Sequence, residues 1–256
     1  MPRFSANLGF LWQELSLCDG IRAAAKAGFA AVECHFPYDI PTAEVLSALN
    51  ETGLPMLGLN TQPGNKEAGD FGLAAVPGRE EQARGYIDEA VTYASAIGCA
   101  NVHVMAGRTD GGDAAESAYR ENLAYACAAA AGHGLGVLIE PINHRDVPGY
   151  HLASVEAARA TLDAVGADNL KVMYDCYHLQ IMQGDVCARL AASLDIVGHV
   201  QFAAPHDRGE PDAGELDYGY VFDAIDAMGY QGFLGAEYKP RSTTEAGLGW
   251  LTALSR

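Results

Sequence analysis

The amino-acid sequence predicts an α/β fold, a single (β/α)8 TIM barrel spanning residues 1–256. Three observations predict it. The chain has 256 residues, close to the roughly 250 of a typical barrel. One punctuation recurs: an alanine-rich helical stretch, a glycine, then a short apolar run. Four apolar runs also end in a polar side chain. GVLIE closes on Glu140, KVMYD on Asp175, IVGHVQ on Gln201 and GFLGAE on Glu237, at spacings of 35, 26 and 36 residues. Each spacing is about one strand–helix unit with its loops.

The punctuation reads AAAKAGFAAVECHF, LNETGLPMLGLN, YASAIGCANVHVMA, AAAGHGLGVLIE, LDAVGADNLKVMYD and DAMGYQGFLGAE. Gly28, Gly53, Gly98, Gly134, Gly166 and Gly229 fit left-handed helix caps. The runs after them suit parallel strands buried on both faces. An opening strand near 4–8 and one at 196–202 bring the count to eight. The other six lie near 30–36, 56–60, 101–106, 136–140, 170–175 and 233–237. Helices fill the gaps, the last near 243–254. Eight alternating units favour a closed barrel over an open sheet. The first turn has no G-x-G-x-x-G, which argues against a dinucleotide fold. Two connections are long, 61–78 after strand three and 203–217 after strand seven. Loops of that length are usually functional, so both are expected to act as lids or substrate clamps.

Composition removes several function classes. At 49% hydrophobic, the chain can fill one large core, and no Gly/Ser linker divides it. The net charge of −17 opposes nucleic acid and anionic membranes, which need clustered Lys and Arg. No run reaches the roughly 18 apolar residues of a membrane span. MPRFSANLGF lacks the apolar core of a signal peptide, so a cytoplasmic location is expected. Cys18, Cys34, Cys99, Cys127, Cys176 and Cys187 form no C-x-x-C pair and read as small buried hydrophobes in a reducing compartment.

In a parallel barrel the C-terminal strand ends converge on one mouth. Three carboxylates and an amide oxygen gathered there suit Mg²⁺ or Mn²⁺, which prefer hard oxygen donors. Zinc would more typically bring His or Cys. Glu140 and Glu237 could flank such a cation. One would remove a proton from carbon and the other deliver one to the neighbouring carbon, with the cation stabilising the charge between. A single acid at a strand end reads equally well as a helix cap. Four together do not, because caps favour Ser, Asp or Asn in the loop.

At these residues the chain resembles the hydroxypyruvate isomerase branch of the xylose-isomerase-like TIM barrels. The resemblance runs from ANLGFLW and FPYDIP through LAAVPGRE, NVHVMAG, IEPINHRDVPGY, YDCYHLQIMQGD, GHVQFA and EPDAGELDY to GAEYKPR. It implies a divalent cation held by Glu140, Asp175, Gln201 and Glu237, with Glu140 and Glu237 as the proton-transfer pair. It also implies that His178 and Arg208 hold the substrate's oxygens. His199 is expected one layer deeper, hydrogen-bonded to a metal ligand. Asn7, His35, Asn60 and His103 are candidate pocket residues, and Trp12 and Phe36 read as packing.

The departures fall around the substrate. The strand-seven loop reads Asp207-Arg208-Gly209-Glu210-Pro211 where the family shows Gly-Arg-His-Glu-Pro, and His144 and His151 are unexpected after strand five. Strand six reads MYDCYH, without the family's Leu after the Asp. The expected partner is a small hydroxy-carbonyl acid, with hydroxypyruvate and tartronate semialdehyde as the leading pair. A 2-oxo-tetronate isomerase and a ketose 3-epimerase are the alternatives. A non-catalytic sugar-binding barrel and an abasic-site nuclease are the readings from other classes. A homo-oligomer is left open.

Overall fold

The structure, a computed structural model, describes residues 2–254. Eight parallel strands form the sheet: β1 Arg3–Asn7, β2 Ala31–Glu33, β3 Gly58–Asn60, β4 Asn101–His103, β5 Gly136–Ile139, β6 Leu170–Asp175, β7 Val197–Phe202 and β8 Phe233–Ala236. The ladder order is β2-β1-β8-β7-β6-β5-β4-β3. Between β2 and β3 the barrel closes through a Val32–Met56 bridge, with Leu57 N–H donating to Val32 O at 2.8 Å and Cys34 N–H to Gly58 O at 3.1 Å. The predicted barrel is therefore the observed one.

Helices α1 Leu17–Ala27, α2 Thr42–Thr52, α3 Glu80–Ile97, α4 Asp113–Ala131 and α5 Val155–Val165 follow β1 to β5 in turn. After β6 come α6 Cys176–Met182 and α7 Val186–Ser193, and after β7 comes α8 Tyr218–Ala227. The expected last helix is two short ones, α9 Thr244–Gly247 and α10 Gly249–Leu254. All six punctuating glycines adopt positive φ, where a side chain would be strained.

Two strands are shorter than predicted. β2 stops at Glu33 because Pro37 soon follows and has no N–H for the ladder. β4 stops at His103 because the 61–78 loop takes its next carbonyls: Ala74 N–H donates to Met105 O and Ala75 N–H to Ala106 O. Gly72 makes that approach. A Cβ on it would lie 2.5 Å from the Met105 carbonyl oxygen.

Side-chain alternation divides the barrel into two environments. In β1, Phe4 packs edge-on against Phe222 and Trp250, both at 5.1 Å, in the layer between sheet and helices. Its neighbours Ser5 and Asn7 point the other way and touch Glu33 and Glu237 inside the barrel. In β7, Phe202 joins the aromatic layer while Gln201 and His199 turn inward. The core thus sits outside the barrel, and its interior near the mouth is polar. No described helix is long and apolar enough to cross a membrane.

Both long loops lie at the mouth and are tied down. Asp70 pairs with Arg79 at 3.1 Å in the first. In the second, buried Glu210 accepts the Arg241 N–H at 3.0 Å, and the Arg241 side chain reaches Asp207 and Asp212, each at 2.8 Å.

Candidate active site at the barrel mouth

Glu140 and Glu237 each stand one residue beyond their strand, Asp175 is the last residue of β6, and Gln201 pairs with Asp175 across the β6–β7 ladder. This register places the four at one level. Glu140, Asp175, His178 and Glu237 each present a ligand atom within 4.8 Å of the others, and all four are buried. The sequence-predicted set therefore converges, with His178 brought in by the first turn of α6.

The free valences in this cluster are specific. Asp175 caps α6 through Oδ1, which accepts the Tyr177 N–H at 2.8 Å, leaving Oδ2 without a partner. Gln201 donates Nε2 to Glu33 at 2.8 Å, leaving Oε1 without one. Glu140 Oε1 is likewise unpartnered. Three orphaned, water-excluded oxygens facing one space are costly in protein alone. Carboxylate and amide oxygens of this kind fit a hard divalent cation.

Glu237 is satisfied differently. Its Oε1 accepts from Asn7 at 3.0 Å and lies 3.2 Å from His35 Nε2, while Oε2 accepts from Arg208 at 2.8 Å. Gly9 leaves room for the His35 ring, which a Cβ there would meet at 2.2 Å. The Arg208 guanidinium lies between Phe10 and Tyr177, 4.6 and 4.9 Å from their ring centres, a sandwich that suits a planar cation. Arg208 adopts φ 58°, uncommon for a residue with a Cβ. Its backbone is fixed by Ala204 O at 2.9 Å and by the Lys239 N–H at 2.7 Å.

The electrostatics separate the acids. Burial, then the charges of Glu237 and Asp175, push Glu140 well above the usual carboxylate range. Burial and Glu237 raise Asp175 to about 8. Burial would raise Glu237 too, but Arg208 and His35 outweigh it and hold it at about 2. Burial and Arg208 lower His178 to about 3, so it is neutral. The backbone N–H of Asn143 donates to His178 Nδ1 at 3.3 Å. Nδ1 is therefore the bare nitrogen, and the ring proton sits on Nε2. That atom is 3.6 Å from Glu140 and 3.5 Å from Asp175.

Around this centre lies a cavity of about 470 Å³, lined by His35, Phe36, Asn60, His103, Lys66 and Lys239 among others. Asn7 reaches it only through Glu237. Trp12 is buried packing that donates to Glu245 at 2.6 Å. His144 and His151 are outside the lining, so the departures after β5 do not face the cavity, whereas Arg208 does. His199 lies deeper than expected: it meets Glu33 Oε1 at 3.0 Å, and Glu33 in turn holds Gln201.

Glu33, Asn143, Phe10, Tyr177, Lys66 and Lys239 were not singled out from sequence. Glu33 carried a signal, since an acid inside the apolar run AAVECHF is as anomalous as Glu140 in GVLIE. The others carried none.

The xylose isomerase-like TIM barrel family model matches residues 21–254. A 2-oxo-tetronate isomerase from Cupriavidus necator is 49% identical over 98% of both chains. The hydroxypyruvate isomerase of Escherichia coli is 41% identical over 98% of both. A solved structure described as an AP endonuclease, family 2, from Brucella melitensis superposes with a TM-score of 0.95 at 41% identity over 99% of each chain. The resemblance read from the motifs thus holds along essentially the whole chain, and the protein belongs to the xylose isomerase-like TIM barrel family.

Proposed function

We propose that this protein is an aldose–ketose isomerase of a short 2-oxo sugar acid. The observation that carries the reading is the set of three orphaned oxygens, on Glu140, Asp175 and Gln201, beside the Arg208-bound Glu237. Glu140, Asp175, Gln201 and Glu237 would hold Mg²⁺ or Mn²⁺. Such a cation would supply charge stabilisation to two adjacent substrate oxygens. The protein supplies the proton transfers. One glutamate takes the proton from the hydroxyl-bearing carbon, and the other returns a proton to the neighbouring carbonyl carbon. The hydroxyl proton passes to the former carbonyl oxygen, so nothing is gained or lost. The His178 Nε2–H is placed to donate to that oxygen. Phe10, Phe36 and Tyr177 keep the centre dry.

An anionic substrate fits the rim. The chain has four lysines, and two of them, Lys66 and Lys239, line the cavity of a protein whose net charge is −17. Lys66→Met and Lys239→Met are each expected to raise KM by roughly 2- to 5-fold with kcat nearly unchanged, the range of a solvated ion pair. Steady-state kinetics at two salt concentrations check this, because the effect should shrink as salt screens it.

A four-carbon 2-oxo-tetronate is the substrate favoured by the 49% identity to the Cupriavidus necator enzyme of that name. Hydroxypyruvate is the second reading, favoured by the 41% identity to the Escherichia coli enzyme. A panel of both acids and free ketoses, followed by proton NMR in heavy water with Mn²⁺ added, tests this. The expected result is isomerisation with solvent deuterium at C2 and the highest kcat/KM on the four-carbon acid. Epimerised ketose without any isomerised acid would sink the reading. The net charge of −17 and a centre with one histidine among three acids oppose a nuclease.

A further inference from the structure

Beneath the site, inside the barrel, lies a second buried polar cluster that the proton transfers do not use. Glu33 from β2 is its centre. Glu33 Oε1 accepts from Ser5 of β1 and stands 3.0 Å from His199 Nε2 of β7, and Glu33 Oε2 accepts from Gln201 Nε2 at 2.8 Å. All four side chains are buried. Gly235 of β8 closes the cluster: a Cβ there would lie 2.5 Å from Glu33 Oε1, 2.8 Å from Gln201 Cγ and 2.9 Å from His199 Nε2. Burying an acid at this depth is costly unless its partners repay it, so a role beyond packing is worth seeking.

We infer that Glu33 is a positioning residue that fixes which end of the Gln201 amide faces the active site. A primary amide has a donor end and an acceptor end of nearly equal size, and only the acceptor can bind a cation. Nothing in the shape of Gln201 chooses between them. The choice comes from its partner. An ionised carboxylate only accepts, so Glu33 can bind Nε2 and never Oε1. The oxygen is then forced to the opposite side, where it is found unpartnered among the other site oxygens. Ser5 and His199 in turn hold Glu33 from its other oxygen. The chain of contacts runs from β1 and β2 through Glu33 to β7, and it turns an ambiguous side chain into a one-ended ligand.

This inference rests on the reading of Gln201 as a cation ligand, and the test separates the two. Mn²⁺ affinity is measured by electron paramagnetic resonance on chelator-treated, folded protein, without substrate. Glu33→Gln, nearly isosteric, can accept as well as donate, so the Gln201 amide is free to turn over. Its Mn²⁺ dissociation constant is expected to rise by about 10- to 100-fold, the usual effect of losing a group that orients a ligand. Gln201→Ala should weaken binding comparably. In the Gln201→Ala background, Glu33→Gln should cost little more, because the group through which Glu33 acts is gone. Two fully additive losses would mean that Glu33 acts only by its charge, and would overturn the proposal. Glu33→Asp keeps the charge and shortens the reach. It too should weaken Mn²⁺ binding, and it carries the comparison if Glu33→Gln does not fold. Full affinity in Glu33→Asp would overturn the proposal. If Gln201→Ala binds Mn²⁺ as tightly as the parent, the ligand reading fails and the positioning role falls with it.

Discussion

Glu140→Gln and Glu237→Gln are each expected to lower kcat by about 10²- to 10⁴-fold, the usual contribution of a positioned acid or base, while moving stability in opposite directions. The activity loss follows from their shared place at the mouth, since either substitution removes one end of the proton transfer. The stability contrast follows from their surroundings. Burial and two neighbouring acids raise Glu140. A raised acid contributes stability below its unfolded pKa and loses it as pH rises through the folded value. Removing it therefore relieves the cation-free protein at alkaline pH, by a few degrees in Tm. Arg208 holds Glu237 at about 2 from 2.8 Å. Its contribution is present above the unfolded pKa and is lost only as pH falls toward 2. Glu237→Gln leaves the largely buried Arg208 guanidinium without its nearest acceptor, at a cost of about 1–3 kcal/mol. Kinetics with saturating Mn²⁺ and calorimetry in chelator, both at pH 8, check the pair. A tenth or more of parental turnover in either variant would remove the two-glutamate mechanism. Equal Tm shifts of the same sign would show that the electrostatic division between the two acids is wrong.

Much of this arrangement was legible in the linear sequence for a simple reason. A parallel strand inside a barrel has little use for an acid at its end, so Glu140, Asp175 and Glu237 stand out against GVLI, KVMY and GFLGA. Glycine after each helix marked the frame. Strand length was less legible, because the ends of β2 and β4 depend on which neighbour claims their carbonyls. At β4 that neighbour is a loop thirty residues earlier, Ala74 and Ala75 taking Met105 and Ala106. The supports of the site were the least legible. Phe10 and Tyr177 are distant in sequence and meet only on the two faces of Arg208. Asn143 fixes the His178 tautomer through a backbone N–H, which any residue but proline could supply. Glu33 was concealed in another way: it lies within a run read as apolar core, and its function depends on an amide 168 positions later.

Removing divalent cation is expected to make the protein's stability fall as pH rises, and restoring cation to reverse the fall. Asp175 has a folded value of about 8 against an unfolded one of about 3.9. The native state therefore holds a proton there that the unfolded chain has released. Its contribution is complete below about pH 4 and is lost progressively up to about pH 8. Glu140 adds to the same slope, because burial raises it in the same direction. Glu237 does not, since its depressed value places its loss in strong acid. Chelator-treated protein should thus melt at a lower temperature at pH 8.5 than at pH 6. Mn²⁺ at a hundred times its dissociation constant stabilises by about 2.7 kcal/mol. That gain should be largest at pH 8.5 and shrink at pH 6, where binding must first expel the protons the acids have taken up. Asp175→Asn removes both a ligand and the principal titrating group, so its melting temperature in chelator should be nearly flat from pH 6 to 8.5 and little moved by Mn²⁺. A parental protein whose melting temperature in chelator rises over that interval would show that the cluster is compensated within the protein itself, and the argument for a cation would lose its electrostatic basis.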